Sequence, residues 1–105
     1  MNNLVVQKYG GTSVANTERF QAVADIVVDS INDGVNVAVV VSAMAGETQR
    51  LIDLAKEIQA EPDPREFDAL VSSGEQVSAA LLAIALKERN FLSKILYSSS
   101  TRFKN

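Results

Sequence analysis

One short segment near the amino terminus combines the groups that proteins commonly use to hold phosphates. The segment reads Lys8-Tyr9-Gly10-Gly11-Thr12-Ser13. Its lysine supplies a positive charge, its hydroxyl side chains can donate hydrogen bonds, and its two adjacent glycines allow positive φ angles and a close backbone approach to a ligand. A helix predicted directly after the segment would add unpaired N–H groups. These features together predict a polyphosphate site.

The two commonest nucleotide-binding loops do not match this segment. The dinucleotide-binding fingerprint needs a third glycine, and the Walker A loop needs its lysine after the glycines, whereas Lys8 precedes them. An ordinary strand-to-helix turn, with Ser13 or Asn16 as the helix cap, has the same local composition. The segment alone therefore leaves a phosphate site and a plain turn both open.

The composition of the chain narrows the classes of function. Its 105 residues are 47% hydrophobic, which suits one small domain or part of one. The net charge of −3 is spread along the chain without a basic tract, so we expect a small-molecule partner and no nucleic acid. Cysteine and histidine are absent, which excludes disulfides, imidazole bases and the usual zinc ligands; any metal would need oxygen ligands.

The sequence also predicts a cytoplasmic location and no association with a membrane. Residues 1–3 carry no charged leader. In addition, no apolar run approaches the roughly 18 residues that a membrane-spanning helix needs.

Hydrophobic spacing predicts a β-α-β unit at the start of the chain. The apolar run Leu4-Val5-Val6 indicates a first strand. From Thr17 to Asp33, apolar residues recur at helical spacing, and Gly34 can end that helix in the left-handed conformation. Residues 35–41 are nearly continuous aliphatic and indicate a buried strand. Such a unit forms a parallel sheet.

Small polar residues follow the second strand as they follow the first. Because ligands collect beyond the carboxyl ends of parallel strands, we expect Ser42 and the turn Gly46–Thr48 to lie beside the glycine-containing segment. The plainer alternatives are a capped strand end for Ser42 and a helix N-terminal position for Thr48. A second helix is predicted from about Gln49 to Ala60.

The last helical region is predicted as two pieces. The dipeptide Asp63-Pro64 marks a helix start, and apolar spacing then indicates a short helix that ends at residues 72–75 before helical spacing resumes. Glu75 stands at the start of the second piece. With Ser72 it has the spacing of a capping box; the alternative is a carboxylate that receives a substrate ammonium group.

Three segments, in order, resemble the amino-terminal part of the aspartate kinases (aspartokinases) of the amino acid kinase family. They read LVVQKYGGTSV at residues 4–14, VVVSAMAGETQRLI at 39–52 and FDALVSSGEQVSAALLAIAL at 67–86. The resemblance implies an α/β fold, the parallel-sheet, three-layer α/β/α architecture of the amino acid kinases, with only the first strands and helices present. It also implies transfer of the ATP γ-phosphoryl group to the β-carboxylate of L-aspartate, which gives 4-phospho-L-aspartate for lysine, threonine and methionine synthesis.

The same resemblance implies a role for each site residue. Lys8 would be catalytic and stabilise charge on the transferring phosphoryl group, while the whole segment Lys8–Ser13 and Ser42 would bind the phosphates of ATP. Thr48 and Glu75 would hold L-aspartate, Glu75 through the substrate's amino group. Phosphoryl transfer needs mostly alignment and charge neutralisation, so Mg²⁺ carried on the nucleotide suffices without histidine or cysteine.

The resemblance divides the chain at about residue 90. Residues 1–90 match the amino-terminal part of the kinase domain, whereas residues 91–105 depart from the family pattern and are predicted to form a divergent, mobile tail in which Ile95–Tyr97 can add a third strand. Aspartate kinases are several times longer, so the resemblance implies a truncated chain that is inactive alone, and homo-oligomers for the full-length family. The alternative is a non-catalytic remnant that at most binds phosphate or a partner subunit.

Overall fold

The computed structural model of the protein describes residues 3–95. Two strands, three α-helices and one short 3-10 helix follow one another along this part of the chain. They are β1 (Leu4–Tyr9), the 3-10 turn Gly11–Val14, α1 (Thr17–Asn32), β2 (Asn36–Val41), α2 (Glu47–Ile58) and α3 (Pro64–Glu88). The predicted α/β class, first helix and position of the second strand are confirmed. The prediction that this strand is buried is wrong, because its residues alternate between exposed and half-buried.

The strands β1 and β2 pair in parallel. Their register runs from Leu4 opposite Asn36 to Tyr9 opposite Val41, so both strands end at the same edge of the sheet. Helix α1 makes the crossover between them, which confirms the predicted β-α-β unit. The loops that follow the two strands are therefore neighbours in space.

Helix α1 begins and ends at residues suited to those positions. The Asn16 side chain accepts a hydrogen bond from the N–H of Arg19 at 3.0 Å and caps the first turn. After the last turn, Gly34 has a φ of +92°, the left-handed conformation that glycine adopts without strain. The core beneath α1 combines buried residues of the 3-10 turn, α1 and α3: Val14, Phe20, Val23, Ala24, Val27, Leu82, Ala85 and Leu86.

Within residues 3–95, the helices cover one face of the sheet. Val37 and Val41 of β2 pack against the core. On the opposite face Leu4 is 67% exposed, Val6 60% and Val40 50%. Parallel sheets are usually covered on both faces, so this open face is incomplete as a parallel-sheet core.

Helix α3 is continuous, so the predicted break at residues 72–75 is wrong. Ser73 Oγ donates to the carbonyl of Leu70 at 2.6 Å, and Ser72 Oγ donates in the same way to the preceding turn, so both hydroxyls are satisfied inside the helix. Ser72 and Glu75 do not form a capping box because both lie in the helix interior. The cap is Asp63, whose side chain accepts from the N–H of Arg65 at 3.0 Å.

Gly74 interrupts the helical sequence pattern for a packing reason. A Cβ at Gly74 would lie 3.0 Å from the Cβ of Ala43 and 3.4 Å from Leu51 Cδ1. The missing side chain therefore lets α3 approach α2 and the loop after β2 closely. This tertiary contact accounts for a glycine that local sequence reasoning assigned to a helix end.

The continuity of α3 also corrects the expectation about apolar length. With its 25 residues, α3 passes the length and composition test for a membrane-spanning helix. However, Gly74, Ser78 and Leu82 are buried against other elements, as in a helix that packs within a globular domain.

Arg89 ties the end of α3 to α1. Its Nε donates to Asp25 Oδ1 at 2.8 Å, and its terminal nitrogens donate to the carbonyls of Ala85 and Gln21 at 2.8 and 3.4 Å. The end of α3 is thereby held against the middle of α1.

Residues 91–95 follow without a helix or strand. Phe91 packs against the core. The predicted third strand does not include Ile95, and its remaining residues, with the rest of the predicted tail at 96–105, lie outside the described residues.

Candidate active site

The candidate site lies where the two parallel strands end. The N–H of Ser42 donates to the carbonyl of Tyr9 at 3.0 Å and extends the pairing one step beyond the strands. Ser42 Oγ lies 2.9 Å from the position that a Cβ at Gly10 would occupy. The absence of a side chain at Gly10 thus leaves room for the Ser42 hydroxyl at this edge.

A cleft of about 340 Å³ opens at this edge. The residues that line it are Lys8, Tyr9, Gly10, Val40, Val41, Ser42 and Glu75. Three chain segments that are far apart in sequence, the end of β1, the end of β2 and the middle of α3, therefore meet around one space. Each of these segments contains a residue that the sequence predicts for the site: Lys8, Ser42 and Glu75.

The cleft has one cation and one carboxylate on its walls. Among residues 3–95, the two ion pairs are Glu47–Arg50 and Asp25–Arg89, so neither Lys8 nor Glu75 is neutralised by a protein partner. An unpaired lysine favours an anionic group of a ligand, and an unpaired carboxylate favours a cationic one. The arrangement suits a ligand that carries both charges.

The loop after Gly10 differs from the predicted strand-turn-helix. Gly11 has a φ of +58° and begins the 3-10 turn, and the N–H of Ser13 donates to the carbonyl of Gly10 at 3.1 Å. Helix α1 begins only at Thr17, where the Asn16 side chain already occupies a donor of the first turn. Gly11 and Thr12 are exposed and Ser13 is half-buried, and they adjoin the cleft without lining it.

Tyr9 has a structural side chain. Its hydroxyl donates to Gln7 Oε1 at 3.0 Å, and Gln7 Nε2 donates to Ser30 Oγ at 3.0 Å, which connects β1 to α1. The ring packs against the core, and burial raises the pKa of the Tyr9 hydroxyl above its ordinary value.

The first turn of α2 contains the predicted residue Thr48 and its neighbour Glu47, to which the sequence pattern assigned no role. Thr48 is exposed and does not line the cleft. Its neighbour Glu47 forms a bidentate pair with Arg50, with N–O distances of 2.9 and 2.8 Å, and this hydrogen bonding lowers the pKa of the Glu47 carboxyl. The Glu47 side chain also approaches α3 at Gly74, directly before Glu75. The i, i+3 spacing was the only sequence signal for this pair.

A larger cleft of about 430 Å³ lies between β2, α1 and α3. Aliphatic and aromatic residues dominate its lining, among them Val27, Val39, Leu86 and Phe91, and its charged lining residue is Lys94. It offers few polar groups to orient a ligand, so the smaller cleft is the better candidate for chemistry. Within the described part of the chain, no group of three or more acidic side chains is placed to hold a metal ion.

The chain is similar to known proteins over most of its length. The profile of the Amino acid kinase family matches residues 3–105. The aspartate kinase of Stutzerimonas stutzeri is 58% identical over 86 residues, and that of Pseudomonas putida is 56% identical over the same length; each alignment covers 82% of this chain and 21% of the relative. The aspartokinase of Geobacillus stearothermophilus is 51% identical over 88 residues.

A solved structure agrees with these sequence matches. The crystal structure of aspartate kinase from Synechocystis superposes with a TM-score of 0.81 at 52% identity, over 83% of this chain and 15% of the Synechocystis chain. This chain spans about a fifth of the length of the curated relatives that it matches. By the family match over residues 3–105, the chain belongs to the amino acid kinase family.

Proposed function

We propose that this chain is the part of an aspartate kinase that holds L-aspartate and the transferring phosphoryl group of ATP. One observation carries the proposal: Lys8, Ser42 and Glu75 line a single cleft at the carboxyl ends of two parallel strands. Relatives that are 50–58% identical carry the name aspartate kinase or aspartokinase, and open α/β sheets bind their ligands at this edge.

The chemistry of the cleft supports the division of labour that we propose. Lys8 stabilises the negative charge that develops on the γ-phosphoryl oxygens as the group passes to the β-carboxylate of L-aspartate. The exposed backbone of Gly10 and Gly11 and the Ser42 hydroxyl hold phosphate oxygens. The Glu75 carboxylate pairs with the ammonium group of L-aspartate, and the product is 4-phospho-L-aspartate.

The residues that line the cleft fit an ATP molecule that binds together with Mg²⁺. Mg²⁺ supplies further neutralisation of the phosphate charge when bound. The acidic residues of the described chain do not cluster into a cage, so the metal would enter with ATP. Thr48 remains a second proposed contact to L-aspartate. We further propose a cytoplasmic location and a role in lysine, threonine and methionine synthesis, by the same relationship to the named relatives.

A binding experiment on the 105-residue chain tests the proposal. Backbone amide NMR shifts are recorded during separate titrations with L-aspartate and inorganic tripolyphosphate. We expect tripolyphosphate to shift residues 8–13 and Ser42, and L-aspartate to shift the neighbourhood of Glu75. Lys8→Ala should abolish the first response and Glu75→Gln the second.

Lys56→Ala provides the matched control, because Lys56 is an exposed lysine in the last turn of α2. That variant should bind both probes as the parent chain does. Shifts confined to the larger apolar cleft, or a tripolyphosphate response that survives Lys8→Ala, would overturn the proposed site.

A further inference from the structure

Gln7 links the first strand to the first helix through two side-chain hydrogen bonds. Gln7 Nε2 donates to Ser30 Oγ of α1 at 3.0 Å, across 23 residues of sequence. Gln7 Oε1 accepts from the Tyr9 hydroxyl at 3.0 Å. All three side chains are half-buried. The amide of Gln7 therefore uses its donor toward α1 and its acceptor toward the end of β1, and we call this set of contacts the Ser30–Gln7–Tyr9 link.

The link lies behind Lys8. Successive side chains of a strand point to opposite faces of the sheet, so Gln7 and Tyr9 share the face toward α1 and Lys8 has the other face. The exposure along β1 agrees, because Lys8 is exposed between its two half-buried neighbours. Lys8 lines the candidate cleft, whereas Gln7 does not. The link therefore holds the backbone on both sides of Lys8 without placing the Gln7 side chain in the cleft.

The end of β1 has few other attachments to the helices. Among residues 3–95 the sheet has two strands, so β1 has a strand neighbour on one edge. Tyr9 packs against the core, but the first three residues of β1 are exposed. A two-stranded sheet is marginally stable by itself and takes its position from the elements that it packs against. The Ser30–Gln7–Tyr9 link is thus a specific contact that sets where the end of β1 lies relative to α1.

We infer that Gln7 is a positioning residue, which holds Lys8 at the place from which its ammonium group reaches the transferring phosphoryl group. The inference rests on the proposed function and adds to it a residue outside the cleft. Phosphoryl transfer depends on alignment, so a displacement of about 1 Å can lower the rate by up to about a hundredfold. Loss of the Gln7 amide leaves the charge of Lys8 intact but frees the end of β1 from α1. The effect falls on the rate and not on the binding of L-aspartate, since Glu75 lies on α3.

A kinase assay tests this role. Residues 4–88 of this chain replace the matching segment of the Stutzerimonas stutzeri aspartate kinase, and L-aspartate-dependent ADP release gives kcat and KM. Gln7→Ala should lower kcat by about tenfold and leave KM for L-aspartate within about twofold of the parent value. A merely stabilising role would lower the urea midpoint but not the kcat of folded enzyme. The assay is therefore run where circular dichroism shows the variant fully folded.

Ser30 tests the other end of the link with little risk to folding. Alanine favours a helix interior more than serine does, and Ser30 lies in α1. Ser30→Ala should lower kcat as Gln7→Ala does, and the double variant should be no slower than Gln7→Ala alone, because either substitution already breaks the link. Ser30→Thr keeps the hydroxyl and should retain the parent kcat. Gln49→Ala is the control and should also retain it, since the Gln49 amide donates to Asp53 Oδ1 at 2.8 Å within α2.

Lys8→Ala in the same enzyme separates this inference from the proposed function. If Lys8→Ala retains the parent kcat, the proposed function fails, and the positioning role fails with it. If Lys8→Ala loses kcat but Gln7→Ala and Ser30→Ala do not, the positioning role alone is overturned. A Gln7→Ala effect confined to KM for L-aspartate, or a loss of kcat in Ser30→Thr or Gln49→Ala equal to that in Ser30→Ala, would likewise overturn the positioning role.

Discussion

Gly10 and Ser42 are in close contact where the two strands end. A Cβ at Gly10 would stand 2.9 Å from Ser42 Oγ and 3.6 Å from Ser42 Cβ. The backbone of Gly10 is extended, with a φ of −156°, so space and not backbone conformation requires glycine here. The candidate cleft depends on this contact because it lets both residues line the same wall.

Gly10→Ala should therefore force the Ser42 hydroxyl out of its position. We expect a loss of about 1 kcal/mol in the free energy of unfolding, measured by urea denaturation. Ser42→Ala should be nearly neutral, and the double variant should recover most of the loss, because the Oγ that creates the clash is gone. Strictly additive effects of the two substitutions would show that the contact is not what requires Gly10.

Gly74→Ala should have two opposing effects on stability, one from helix propensity and one from packing. Alanine favours a helix interior over glycine by about 1 kcal/mol, but its Cβ would lie 3.0 Å from the Ala43 Cβ, and overpacking costs roughly 1–3 kcal/mol. We expect net destabilisation in urea denaturation. Ser72→Ala, two residues earlier on the same helix, should be neutral or slightly stabilising. A Gly74→Ala variant more stable than the parent chain would contradict the close approach of α3.

The candidate cleft and Gly74 show which parts of the structure could be predicted from the sequence and which could not. The β-α-β unit and the meeting of Lys8, Ser42 and Glu75 followed from hydrophobic spacing, the rule for parallel sheets and the family resemblance, because those features depend on local periodicity and topology. The prediction of a break at residues 72–75 was wrong because the sequence alone does not distinguish a glycine that allows close helix packing from a glycine that ends a helix.

Other features could not be predicted from the sequence because they also depend on tertiary packing. The first turn of α2 was placed beside the cleft from its position after β2, but Thr48 is exposed and does not line the cleft. Which side of a helix faces a cleft depends on how the helix packs. The role of Tyr9 in connecting β1 to α1 depends on Gln7 and Ser30, a contact across 23 residues.

Ser78 is fully buried, and among residues 3–95 its Oγ has no hydrogen-bond partner. A buried polar group without a partner costs stability, so Ser78→Ala should raise the free energy of unfolding by about 1 kcal/mol. Ser73→Ala is the control, because the Ser73 hydroxyl donates to the Leu70 carbonyl. That variant should be neutral or slightly less stable. Destabilisation by Ser78→Ala would mean that the hydroxyl has a partner in solution.

Tyr9 should make the fold sensitive to alkali. Burial raises the pKa of its hydroxyl in the folded chain above the ordinary value of 10.0. The folded state therefore holds the proton more tightly, so this contribution to stability is present below pH 10.0 and is lost as the pH rises through the folded-state pKa. Unfolding free energies measured on both sides of pH 10.0 should fall less steeply in Tyr9→Phe than in the parent chain. Equal slopes in Tyr9→Phe and the parent chain would show that burial of the Tyr9 hydroxyl does not cause the loss of stability at high pH.

Phosphoryl transfer in a completed kinase chain tests the central claim most directly. Residues 4–88 of this chain would replace the matching segment of the Stutzerimonas stutzeri aspartate kinase, and L-aspartate-dependent ADP release would be measured. Lys8→Ala should lower kcat by about a hundredfold or more with little change in KM for L-aspartate, because Lys8 acts on the transferring group. Glu75→Gln should instead raise that KM by about tenfold. A Lys8→Ala enzyme with the parent kcat would contradict the account.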